Sequence, residues 1–340
     1  AKLIIGFAIP MFLGMLCQQF YSMVDTMIVG KFLGLKPLAG VGSTGSLNFM
    51  VIGFCIGVCN GFAIPVAQKF GAKNIADMKK SFAMSLVIGT GISILFTIAG
   101  LLFLKPILHF LNVPKHLVPV AKGYIAIIIA GLLATFLYDA CAATLRAIGD
   151  AVTPLIILAI SVALNIVGDL FFVVVLKTGV KGAAIATVLA QIIAFVICWI
   201  YMIRKYEILR LQKEDFKDPS PIMVKEMISA GMSMGFMSSL VNIGTLTLQT
   251  AINKLGKDII IAHTAARKIT EISMIMFRVF GQTMATYCGQ NMGAGKIDRV
   301  KRGIWLAIVY TAIWSGLTII ASYTIGGWLV YLVTGSHNKT

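Results

Sequence analysis

Two aspartates, Asp25 and Asp169, sit inside apolar stretches long enough to cross a bilayer. An ionisable group is expensive there and marks a functional site by default. Asp25 precedes Lys31 by six residues and Asp169 precedes Lys177 by eight, depths of about 9 and 12 Å from the outer helix ends at 1.5 Å per residue. Thr187 follows Lys181 by six residues and reaches the same layer, and Tyr124 opens a further span slightly nearer the surface. Tyr21 and Asn165 each lie four residues before an acid, on the same helix face. The spacing predicts one polar pocket made of Tyr21, Asp25, Tyr124, Asn165, Asp169 and Thr187. Two neighbouring carboxylates in a poorly hydrated pocket repel, so one holds a proton unless a cation sits between them. If sodium is that cation, the oxygens of Asp25, Asn165, Asp169 and Thr187 form its site, since a hard cation takes oxygen ligands. The same acids also suit a proton, so the residues leave sodium and proton open; no other cofactor is expected.

Such a pocket needs membrane-spanning elements to hold it. The 340 residues are 58% hydrophobic and 12% charged, with a mean hydropathy of +0.91, far from the balance of soluble domains. Apolar residues run continuously rather than alternating, which fits helices and excludes a transmembrane barrel. The expected fold is an all-α integral membrane protein with spans at 3–30, 38–67, 81–104, 117–144, 153–176, 182–203, 221–252, 258–289 and 303–333. The net charge of +16 lies at the span ends and needs no nucleic acid to explain it. Basic residues crowd one set of alternate loops, among them Lys69, Lys79, Arg146, Arg204, Lys213, Lys296 and Arg302, which places those loops and the N-terminus in the cytoplasm. The first apolar stretch is too long for a signal h-region and is expected to remain as a helix. The six cysteines read as small packing residues, and the four histidines show no metal spacing. No Walker motif and no sizeable soluble segment is present, which leaves an ion gradient as the driving force.

Gln68-Lys69-Phe70-Gly71-Ala72-Lys73-Asn74-Ile75 is echoed 222 residues later by Gln290-Asn291-Met292-Gly293-Ala294-Gly295-Lys296-Ile297. The same offset relates Leu33-Gly34 to Leu255-Gly256 and Lys79 to Lys301. Six spans separate equivalent positions, an even number, so the units are parallel repeats. The expected organisation is a six-helix lobe over 1–205, a charged cytoplasmic linker over 206–220, and the first three helices of a second lobe over 221–340. Thr247 occupies the repeat position of Asp25, so the acidic site is not duplicated. Gly71 and Gly293 are expected to supply a positive φ at a helix end.

These features resemble the multidrug and toxic compound extrusion (MATE) family, in its bacterial DinF-like type. The residues that carry the resemblance are Pro10 with Tyr21, Val24-Asp25-Thr26, Val29-Gly30 with Leu33-Gly34, the Gln68 to Ala72 turn with its echo at Gln290 to Ala294, and Leu145-Arg146-Ala147-Ile148-Gly149-Asp150. The resemblance implies twelve helices in two six-helix lobes; here the second unit has three. It implies export of organic, often cationic, compounds across the cytoplasmic membrane by alternating access, in exchange for protons or sodium. It also implies a first-lobe cation pocket that matches Asp25, Asn165, Asp169 and Thr187, completed by Tyr21 and Tyr124. Candidates for a substrate cavity are Glu271, Arg278, Asn242 and Gln249. Glu271 is spaced to pair with Arg267 or Lys268, Arg278 has no evident partner, and Asp139 is expected to pair with Arg146 at a helix end. The expected partners are small organic substrates and membrane lipid, with no nucleic acid, and the expected unit is a monomer. The alternative is a flippase for lipid-linked oligosaccharides, which calls for several bases facing the cavity. An enzyme is not expected: it would need a nucleophile and base or a metal set in one membrane layer, and the Asp pair, which could imitate an aspartyl dyad, lies four helices apart within a transporter-like repeat.

Overall fold

The computed structural model describes residues 2–111, 113–252 and 257–334. Where the sequence is continuously apolar, the chain has no water to satisfy its backbone and closes its hydrogen bonds within helices. The helices are α1 (Lys2–Leu33), α2 (Leu35–Ser43), α3 (Gly45–Gly71), α4 (Ile75–Leu102), α5 (Leu104–Phe110), α6 (Val118–Ala130), α7 (Leu132–Ala147), α8 (Val152–Asp169), α9 (Val180–Lys205), α10 (Pro221–Ile252), α11 (Lys257–Gly293) and α12 (Ile297–Thr334). Among the described residues, six helices are long and apolar enough to cross a membrane, or seven if the bent pair α6 and α7 counts as one span. Each of the remaining expected spans, 221–252 and 258–289, also holds a long helix, α10 and α11.

Three expected spans are divided. The fourth bends by 45° at Gly131, where a Cβ would stand 2.3 Å from Cγ2 of Val188, so glycine admits α9 at the bend. The second begins later than expected, because α2 is a separate short helix entered through Gly34 at φ +90°. The fifth is α-helical only as far as Asp169 and continues as a π-helical turn over Leu170–Val175. The charged segment 206–220 is not extended. It forms 3-10 turns over Glu207–Leu209 and Lys213–Phe216, and Leu209 is fully buried in a cluster with Met78, Phe82 and Met202.

The repeat seen in sequence recurs in hydrogen bonds. At the end of α3, Ala72 N–H donates to Gln68 O, Lys73 N–H to Phe70 O and Asn74 N–H to Lys69 O. At the end of α11, Ala294, Gly295 and Lys296 donate to Gln290, Met292 and Asn291 in the same pattern. The positive φ falls on Lys73 (+58°) and Gly295 (+69°), not on Gly71 and Gly293. Those two glycines serve close approach instead. A Cβ on Gly71 would lie 1.9 Å from Gln290 O, and one on Gly293 would lie 1.8 Å from Gln68 O, so each turn rests on the backbone of its counterpart. A second glycine seam joins α3 to α10: Gly57 and Gly61 meet the backbone of Met234, Gly235, Ala230 and Gly231, while Gly231 and Gly235 meet Phe62, Phe54 and Val58. Small residues four apart on both helices are how membrane helices approach closely without a hydrophobic driving force.

At the turn between α7 and α8, Asp150 clasps α8 to α9. It accepts from the Thr153 backbone N–H (3.0 Å), the Thr153 hydroxyl (2.6 Å) and the Tyr206 hydroxyl (2.7 Å), with Lys205 Nζ at 3.8 Å. Partial burial works against its charge, but these hydrogen bonds and Lys205 hold its carboxyl below the usual carboxylate range. The folded value therefore lies below the unfolded one of about 3.9. The clasp stabilises fully above that range and is lost as pH falls through the folded value.

Two outcomes are expected from thermal unfolding in detergent. Gly71→Ala and Gly293→Ala each lower Tm markedly, whereas Gly42→Ala, where nothing stands within 4 Å of the added carbon, does not. Asp150→Asn lowers Tm by about 2–4 °C at pH 7, and the difference from wild type closes on acidification below about pH 4.

Candidate functional site

The six residues expected to share a layer do so. Asp169 is the last residue of α8 and is fully buried, Asn165 one turn earlier is 2% exposed, and Asp25 on α1 is 9% exposed. The Asp25 and Asp169 carboxyl groups lie within electrostatic reach of one another. Ionised carboxylates only accept, so two of them in one enclosed pocket repel unless one holds a proton or a cation sits between them. The Asn165 amide, with its nitrogen turned to Asp169, donates to Oδ2 at 3.0 Å, and its oxygen accepts from the Thr187 N–H (3.1 Å) and hydroxyl (3.2 Å). Thr187 Oγ1 also stands 3.1 Å from the Tyr21 hydroxyl. Tyr124, 6% exposed, lies within electrostatic reach of Asp25, Tyr21 and Asp169 and lids the group from α6.

The ordering of these side chains follows from local structure. α8 offers Ser161, Asn165 and Asp169 on one face at four-residue spacing, and α9 lays Thr187 against them. The π-helical turn begins at the residue after Asp169, which widens the helix where the carboxyl group is held. Two oxygens remain without partners although fully enclosed, Asp25 Oδ1 and Asp169 Oδ1. A buried acceptor left unpaired costs about 1–3 kcal/mol, so the pocket is built to receive one more positive charge or proton. Its donor set is entirely oxygen, which suits a proton or a hard monovalent cation. Among the described residues there is no cluster of three or more His, Cys, Asp or Glu side chains able to hold a metal ion.

Two residues outside the expected set extend it by one turn along α8 and α9. Ser161 donates to Ala190 O at 3.3 Å, and Gln191, one turn after Thr187, has a buried Oε1 without a partner. Their signal was the four-residue spacing itself, Ser161 before Asn165 and Gln191 after Thr187. The π-helical turn left no comparable signal.

The second group of candidates fares differently. Glu271 does pair with Arg267, Nε to Oε1 at 3.1 Å. Asn242 donates to Phe49 O at 3.1 Å and ties α10 to α3. Thr247 bonds back to Ile243 O within its own helix. The Gln249 side chain lies outside the described residues. Arg278 is exposed. The expected pairing of Asp139 with Arg146 is not made: Arg146 donates to Asn60 Oδ1 at 3.4 Å, and among the described residues no ion pair includes Asp139.

Comparison with known proteins agrees with this architecture. The MatE family model matches residues 10–171 and 233–338. The chain is 29% identical over 303 residues to the probable multidrug resistance protein YpnP of Bacillus subtilis, covering 88% of this chain and 66% of that protein. It is 27% identical to the probable multidrug resistance protein YoeA of the same organism, covering 96% and 70%. The chain thus spans about two thirds of the length of these curated relatives. Its fold superposes with a TM-score of 0.90 on an outward-facing multidrug resistance MATE transporter of the MOP superfamily, at 22% identity over 98% of this chain and 74% of that one. Neither named relative is a flippase, and that expectation is not carried forward. With the family pattern matched over most of its length, the chain belongs to the MATE family, whose members are membrane transporters and not enzymes.

Proposed function

We propose that this chain is the ion-coupled part of an exporter of small organic compounds, and that the Asp25 and Asp169 pair carries the coupling cation. The observation that carries this reading is a pair of buried carboxyl groups within electrostatic reach of one another, each keeping one enclosed oxygen unpaired. In the cycle, a proton entering from the outer side neutralises the pair and allows α1 to settle against α8; losing the proton to the other side restores the repulsion and moves α1 away. Sodium would draw on the same oxygens of Asp25, Asp169, Asn165 and Thr187. A cation couples to substrate only if the two states bind it with different affinity, and a pair that alternates between shared proton and mutual repulsion supplies that difference.

The glycine-supported turns at Gly71 and Gly293 support a two-lobe arrangement about a pseudo-two-fold axis, with α10 to α12 beginning the second lobe after the linker over 206–220. The two matched family segments start nearly one repeat offset apart, in keeping with this. Contacts between the units run along α3 and α10, from Gly61 against Ala230 to Phe49 O against Asn242. Gln290 Nε2 also donates to Ala147 O at 2.7 Å, and the Thr283 hydroxyl meets Met11 Sδ at 3.8 Å. A cytoplasmic N-terminus follows from the loop charges.

Export is tested in everted vesicles loaded by an imposed proton or sodium gradient, with a fluorescent organic dye as substrate. A proton gradient drives dye uptake in wild type, and Asp25→Asn or Asp169→Asn reduces it to the protein-free background. Thr187→Val, which removes the hydroxyl bound to Tyr21 and Asn165, leaves transport but shifts its proton dependence by about tenfold in proton concentration. Full gradient-driven transport in either aspartate variant contradicts the assignment, and drive by sodium alone replaces the proton with sodium in the same pocket.

A further inference from the structure

We propose that the last turns of α9 bind an anionic phospholipid, with Arg204 receiving its phosphate and the apolar stripe before it lying along an acyl chain. The site stands apart from the buried carboxyl pair and does not depend on which cation that pair carries. α9 divides by face. Ala186, Ala190, Ala194, Cys198 and Met202 are buried at helical spacing, while Leu189, Ile193, Val196 and Ile200 on another face are each exposed by 40–45%. From Leu189 to Ile200 this stripe rises about 16 Å at 1.5 Å per residue, which matches one leaflet of a hydrocarbon core about 30 Å thick. Among the described residues, the second unit meets the first through α3, α1 and the end of α7. The stripe on α9 is left uncovered.

The stripe ends in charge. Ile197, Ile200, Tyr201, Arg204 and Lys205 line an open groove of about 510 Å³ at the end of α9. Lys205 is turned inward: its Nζ lies 3.8 Å from Asp150, which also accepts from Thr153 and Tyr206, and 4.9 Å from the centre of the Tyr201 ring. Arg210, in the segment that follows, donates to Ile203 O and faces Glu207. Arg204 is exposed one turn beyond Ile200, and among the described residues no ion pair includes it. Its guanidinium offers a planar fork suited to phosphate, at the point where the apolar wall stops. Tyr201 adds a ring of the kind that sits at headgroup level, with Thr153 Oγ1 3.3 Å from its hydroxyl. Basic groups set beside an apolar wall at a membrane-helix end are the pattern that takes an acidic lipid headgroup. Snorkelling alone would carry the guanidinium to water and make no choice between lipids. An anion at Arg204 also faces Lys205, so occupancy bears on the Asp150 clasp.

Native mass spectrometry of the purified protein in detergent tests this, with phosphatidylglycerol and phosphatidylcholine of the same chains added in turn and glycerol phosphate as a headgroup without chains. Wild type retains phosphatidylglycerol in preference to phosphatidylcholine and does not retain glycerol phosphate. Arg204→Gln weakens phosphatidylglycerol binding about tenfold, the loss expected of one charge-assisted bond, and leaves phosphatidylcholine unchanged. Arg204→Lys keeps part of the preference. Arg210→Gln removes the same charge from a guanidinium that is already engaged and leaves the preference intact, which separates a site from general attraction to a basic protein. Equal weakening by the two glutamine variants, or no preference in wild type, overturns the proposal. So does retention of glycerol phosphate alone, which would make the ligand a free phosphate, or a dimer peak that Arg204→Gln abolishes, which would make a second copy the occupant.

Discussion

A carboxyl group that cannot reach water must hold a proton, a cation or a hydrogen-bond donor, and the first nine helices are arranged around two such groups. Asp169 has no exposure and Asp25 almost none. Asn165 is fixed between Asp169 and Thr187, Thr187 is fixed by Tyr21, and Tyr124 lies buried within electrostatic reach of both acids. Among the described residues of this network, Asp25 Oδ1 and Asp169 Oδ1 are enclosed without a partner, as is Gln191 Oε1 beyond Thr187. A polar network in low dielectric is stable only when it is complete, so the incomplete edge is where the network responds to its surroundings. α1 contributes half of the pair and also packs through Ile4, Ala8 and Met11 in a cluster with Ile275, Val279 and Phe280 of α11. A change of charge at Asp25 is thereby connected to the helix that faces it from the other unit.

The rest of the architecture makes that movement tolerable. Along α3 and α10 the helices meet through glycines and backbone, a surface with few side chains to unlock. At the ends of α3 and α11, two matching turns rest on one another through Gly71 and Gly293, and the Asp150 clasp keeps α8 and α9 together. Close packing of this kind has two discrete arrangements more readily than a continuum, which is what an alternating cycle asks of its seams.

Much of this was legible in the sequence because the bilayer imposes simple rules. Continuous apolar runs fixed the long helices, and counting residues from Lys31, Lys177 and Lys181 put Asp25, Asp169 and Thr187 in one layer, where they do meet. Backbone events were less legible. The π-helical turn after Asp169 and the bend at Gly131 depend on how α8 and α7 pack against α9, and the local sequence gives the apolar pattern of an unbroken helix in both places. Gly71 and Gly293 were read as sources of positive φ because they end helices; the structure gives that role to Lys73 and Gly295 and uses the glycines for contact. Asp139 and Arg146 fell at pairing distance along a helix, but Asn60 on another helix competes for the guanidinium, and a tertiary partner of that kind has no signature at i+7.

The central claim is that Asp25 and Asp169 share a hydrogen in the resting pocket. Infrared difference spectroscopy of the reconstituted protein tests it by recording the carbonyl stretch of a protonated carboxyl group. The account predicts such a band in wild type at neutral pH, discharged by strong alkalinisation and absent from the Asp25→Asn, Asp169→Asn double variant. A wild-type spectrum with no protonated carboxyl band at neutral pH, or a band that persists unchanged in the double variant, would contradict it.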